Sequence, residues 1–206
     1  MRSLAAVGRV PVPAKRSYSS SFLLAKRSRG REGSGIVWYV AQVRAGRESS
    51  TLDQCRRIVS PSVLKDCFMP EYETMWKLRG EWHLARRLLF PGYLFFVTDD
   101  IEALNKELLR VPMPIRLLGN EENSFYPLTG KERDWFRSFM DGEHIVRMSE
   151  GYIKGDKVTV TRGPLMGFEA DIRKIDRHKR RAYLDVTLFG RTVPASVGLE
   201  VVRKSA

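Results

Sequence analysis

The chain has 206 residues, 43% of them hydrophobic, and a formal net charge of +12. That is enough apolar material for one large core or two small ones, and the positive excess points to nucleic acid, or less often to an anionic membrane surface. Two cysteines (Cys55, Cys67) and three scattered histidines (His83, His144, His178) make neither a secreted disulfide framework nor a metal-ligand cluster. No GxSxG, P-loop or GxGxxG motif occurs, and no apolar run reaches the roughly 18 residues of a membrane span. The expectation is a monomeric, non-enzymatic protein of a reducing cytoplasm, without cofactor, metal or membrane contact.

Residues 1–35 hold 8 Lys or Arg against a single acid, Glu32, and show no apolar period. They read as a disordered basic tail. The same composition suits an organellar transit peptide, or a start site placed too far upstream. Residues 36–140 read as an α+β domain. The β-branched and aromatic run Ile36–Val43 is a buried strand. A helical pattern follows over Arg47–Ile58, with Leu52, Cys55 and Ile58 on one face. Phe68–Arg79 and Trp82–Leu88 form a hairpin turning near Arg79–Glu81. Tyr93–Val97 is a strand after the Pro91-Gly92 break. Asp99 or Asp100 caps a helix through Leu109, and Thr129 caps another, with Glu132 in the capping-box position. This order predicts one antiparallel sheet covered by helices.

Residues 141–151 are polar and read as a linker. In 152–206, short strands are expected at Lys157–Thr161, Ala170–Asp176, Arg181–Leu188, Arg191–Pro194 and Glu200–Val202. Turns at Gly155, Gly163-Pro164, Gly167 and Gly190 divide them. Five short strands in so few residues make a small all-β barrel.

Two pairs of segments carry a resemblance: "WYVAQVRAGRE" with "LLFPGYLFF", and "GDKVTVTRGPLMGFEADI" with "VTLFGRTVPASVGLEVV". The chain resembles the NusG family of transcription elongation factors over about residues 36–204, an N-terminal NusG domain followed by an SH3-like KOW barrel. Ala170 departs from the glycine the family usually carries there. The resemblance implies an N-terminal domain docked on the clamp helices of RNA polymerase, with Phe90, Pro91, Tyr93 and Phe95 as the apolar contact. It also implies that Phe189 meets a small-subunit ribosomal protein in the general factor. Within the family the chain is most similar to the specialised LoaP-type branch, whose basic KOW domain binds nascent RNA in processive antitermination. The alternative is the general factor, linking polymerase to the ribosome or to a termination factor.

The charge distribution separates the two. Residues 36–150 carry 16 bases and 17 acids, whereas residues 151–206 carry 12 bases and 6 acids. Half of those 12 lie between Arg173 and Arg181. Arg173, Lys174, Arg177, His178, Lys179, Arg180 and Arg181 are therefore the candidate RNA-binding residues, with Lys157, Arg162 and Arg191 as extensions. Such a hairpin loop reaches several phosphates at once. Aromatic partners nearby are few, only Tyr183 and Phe189, so a structured RNA is expected rather than stacked single strands.

Overall fold

The run Val37–Val43 forms strand β1, with Trp38 and Val40 buried on one face and Ala41 and Val43 on the other. An apolar run of this kind, interrupted only by Gln42, suits a strand covered on both sides. The computed structural model describes residues 36–119, 124–155, 157–188 and 191–205. The basic tail, Phe189 and Gly190 lie outside the described residues. β1 sits inside an antiparallel sheet of order β2-β5-β1-β6, with β2 at Asp66–Phe68, β5 at Tyr93–Thr98 and β6 at Ile115–Leu117.

Helices α1 (Glu48–Ile58) and α2 (Ile101–Leu108) supply Leu52, Cys55, Leu104 and Leu108 to one face of this sheet, against Ala41, Leu94 and Phe96. Helix α3 (Gly130–Phe139) supplies Phe136 and Phe139 to the other, against Trp38 and Phe95. The helix starts follow the sequence: Asp100 accepts a hydrogen bond from the Ala103 amide, and Thr129 and Glu132 form a reciprocal capping box. Each such cap contributes about 1 kcal/mol. Cys55 and Cys67 are buried free thiols, and burial pushes the Cys67 thiol up.

The hairpin of β3 (Glu71–Leu78) and β4 (Glu81–Leu88) does not join that sheet. It turns through Arg79 and Gly80, both at positive φ (50° and 92°), the two-residue turn that matches strand twist. Its open edge on β3 is taken by β7 (Ile145–Val146), paired in parallel as Glu71 with Ile145 and Tyr72 with Val146. The N-terminal domain therefore has two sheets where one was expected. The partner of the hairpin comes from the segment read as linker.

β8 (Ser149–Lys154) also begins in that segment and belongs to the barrel. With β9 (Lys157–Arg162), β10 (Ile172–Asp176), β11 (Arg181–Leu188) and β12 (Arg191–Ser205) it gives the order β10-β11-β12-β8-β9. Gly163 takes φ +97°, and a Cβ there would lie 2.7 Å from the Ser149 Cα, so only glycine fits. The two short strands expected at 191–194 and 200–202 are one continuous β12. Pro194 is tolerated because β8 pairs with β12 only from Leu199 onward, leaving that stretch with a neighbour on one side. Among the described residues no helix is long and apolar enough to cross a membrane.

Candidate nucleic-acid interface and the domain junction

The β10–β11 hairpin carries most of the candidate cations. Its turn is organised by Asp176, whose carboxylate accepts the Lys179 amide at 2.9 Å and pairs with the Lys179 ammonium at 3.6 Å. The amide bond leads in holding the Asp176 carboxyl below its ordinary range. Arg177, His178 and Lys179 project into solvent around this turn, and Lys174 is exposed on β10. Arg173 is also exposed, with its guanidinium 2.6 Å from the Asp185 carboxylate across the hairpin.

Arg180 and Arg181 do not join this outward group. The Arg180 guanidinium lies 4.2 Å from the centre of the Trp82 ring on β4 and pairs with Glu200 at 2.8 Å. Its side chain is only 24% exposed. Arg181 donates from Nε to the Thr74 hydroxyl on β3 at 3.0 Å. Both arginines face the N-terminal domain. They were expected to face RNA, but the strand alternation that puts Ala182, Leu184 and Val186 inside the barrel turns Arg181 outward, onto the surface that β3 covers.

Lys157 and Arg191 are likewise not gathered at the loop. Arg191 pairs with Leu188 at the end of β11 opposite Arg181, and Lys157 pairs with Lys154 at the far end of β8 from Ser149, which adjoins Leu199 beside the hairpin. The Arg191 side chain lies outside the described residues. Arg162 pairs with Glu150, near the hairpin level but on β9, three strands from β11.

The apolar contact expected at "FPGYLFF" also changes. Phe90 is 4% exposed and Phe95 1%, and their rings pack on each other and on Phe136. Both faces of β5 are covered, so alternation leaves no free face on this strand. Pro91 remains exposed and Tyr93 half-buried. The turn between them is fixed from below: the buried Glu48 carboxylate accepts the Gly92 amide at 2.7 Å, and the Gly92 carbonyl accepts the Val43 amide at 2.8 Å.

What the sequence did not indicate is a junction between the domains. The Ser196 and Tyr72 hydroxyls are 3.2 Å apart, and the Phe168 ring meets Phe139 edge-on at 5.2 Å. Gly198 lies against the Glu73 carbonyl and Met148, so the apolar cluster runs from α3 into the barrel. The connecting segment is pinned as well. Arg147 donates to Glu73 at 2.9 Å, to Glu143 at 2.7 Å and to Asp141, which holds its guanidinium charged. The second Glu73 oxygen accepts the Met148 amide at 2.9 Å. His144 stacks on Phe68 at 3.6 Å; burial lowers its pKa although Asp66 stands 3.5 Å away.

These features define a two-domain protein in which a small barrel, docked on an α+β domain, presents a cationic hairpin to solvent. Residues 36–137 match the family model described as "Transcription termination factor nusG", and residues 154–188 match the KOW motif. The chain belongs to the NusG family. It is 25% identical over 172 residues to the transcription termination/antitermination protein NusG of Haemophilus influenzae, covering 81% of this chain and 93% of that one. The NusG of Treponema pallidum is 26% identical over 185 residues, covering 82% and 97%. A solved structure described as "Domain interaction in Thermotoga maritima NusG" aligns with 80% of this chain and 94% of its own, at 18% identity and a TM-score of 0.45.

Proposed function

We propose that this chain is a transcription elongation regulator that binds RNA polymerase through its N-terminal domain and a folded nascent RNA through its KOW domain. On this reading it promotes processive antitermination, as the specialised LoaP-type branch does. The supporting observation is the separation of charge by surface. Lys174, Arg177, His178 and Lys179 stand exposed on one hairpin, while the domain beneath is electrically balanced. A balanced domain suits a protein partner, and a solvated cationic loop suits a phosphate backbone. For the polymerase contact, Pro91 and Tyr93 are the accessible part of the motif, with Phe90 and Phe95 supporting them from the core.

The test is filter binding of the full chain to leader-RNA hairpins with tRNA as competitor. The expected result is sub-micromolar affinity, typical of specific nucleic-acid recognition at modest salt, that survives excess tRNA. Equal affinity for tRNA overturns specific recognition and leaves the general-factor role, in which the loop is a solvated turn.

A further inference from the structure

Resting on the RNA-binding reading, we propose that the RNA is held across the domain junction, by the β10–β11 loop together with the tip of the β3–β4 hairpin. The two are joined at one indole. The Arg180 guanidinium lies 4.2 Å from the Trp82 ring centre, and the Lys77 ammonium lies 5.8 Å from the same centre. Cations of both domains thus converge on a single surface. Lys77 and Arg79 are exposed at the hairpin tip, as Arg177 and Lys179 are at the loop. Between residues 76 and 87 the hairpin carries Lys77, Arg79, Arg86 and Arg87 against Glu81 alone.

The hairpin also provides what the KOW loop lacks. Around the loop only the half-buried Tyr183 is described as an aromatic within the barrel. Trp76, by contrast, is 45% exposed. Strand alternation puts it on the same face of β3 as Thr74, one step nearer the tip than the hydroxyl that accepts from Arg181. Alternation also puts Trp76 on the face of the hairpin opposite Lys77 and its cross-strand neighbour Trp82. The exposed indole therefore offers a platform for an unpaired base on one side of the tip, while Lys77, Arg79, Arg177 and Lys179 meet the neighbouring phosphates around its edge. The ligand class is a folded RNA with at least one bulged or looped-out base. The composite site exists only while the barrel stays docked.

The experiment measures binding of the full chain to a bulged RNA hairpin as a function of salt. Lys77→Ala with Arg79→Ala should lower the slope of log affinity against log salt by about 1.4 to 1.8, two phosphate contacts at roughly 0.7 to 0.9 each. Trp76→Leu, which keeps an apolar side chain at an exposed position, should weaken binding about tenfold and leave the slope unchanged. Unaltered thermal unfolding of each variant confirms that the hairpin is intact. If the parent chain binds and both variants bind equally well, the junction site is overturned and the KOW loop alone stands. The same holds if only single-stranded DNA binding is lost. If the parent chain binds no RNA, the functional reading fails with it.

Discussion

Phe136→Ala should cost about 3–5 kcal/mol of folding stability, the range for removing a buried aromatic ring. The ring is fully buried. It touches Phe95 at 5.1 Å, Trp135 at 5.2 Å, Phe90 at 5.9 Å and Trp38 at 6.4 Å, centre to centre. It therefore links α3, β1, β5 and the turn that carries Pro91. Alanine would leave a cavity whose walls come from four elements and cannot all close in. At roughly 2–4 °C per kcal/mol for a chain of this length, the melting temperature should fall by about 6–20 °C. Leu109→Ala, at a residue 80% exposed, is the control and should stay within about 0.5 kcal/mol. A Phe136→Ala loss of that size or smaller in calorimetry would show that the ring is not the centre of this core.

Gly198→Val should separate the domains. A Cβ at this position would lie 2.5 Å from the Glu73 carbonyl oxygen and 2.0 Å from the Met148 sulfur. The thioether can swing away, but the carbonyl is fixed by the pairing of β3 with β4 and β7. Relief requires the barrel to move off β3, and overpacking of this kind costs about 1–3 kcal/mol or more. The expected result is a larger radius of gyration in small-angle scattering, with β3 amide resonances shifted and barrel resonances retained. Gly142→Ala, where a Cβ meets nothing within 4 Å, should change neither. An unchanged radius for Gly198→Val would mean that the barrel does not rest on β3 in solution. Because the composite RNA site needs the docked barrel, the same variant should also lose the salt dependence contributed by Lys77 and Arg79.

Local chemistry made much of the fold legible. The helix caps at Asp100 and Thr129 and the turn at Arg79-Gly80 fall where the residue types put them. β7 and β8 were missed because "DGEHIVRMSEG" has no period of its own. β7 forms against β3, distant in sequence, and β8 is held between β12, also distant, and its neighbour β9. The burial of Phe95 was visible in principle, since Leu94–Val97 is an unbroken apolar run rather than an alternating one. The division of the basic hairpin was not. Charge counts identify a cationic loop, but which arginines point to solvent depends on what covers the barrel, and Trp82 and Thr74 lie about a hundred residues earlier. The same tertiary contact brings the hairpin tip beside the loop, so half of the inferred RNA surface lies in a domain whose net charge is near zero.

The most direct measurement compares the full chain with its Lys174→Ala/Arg177→Ala/Lys179→Ala variant in binding to an RNA hairpin across a salt series. These three cations face solvent, and among the described residues no hydrogen bond or ion pair ties their side chains to the N-terminal domain, so the fold and the junction should be preserved. Removing three phosphate contacts should reduce the salt slope by about 2 to 3 and weaken binding by at least tenfold at moderate salt. An affinity and slope equal to those of the parent chain would contradict the assignment of this hairpin as the RNA-facing surface.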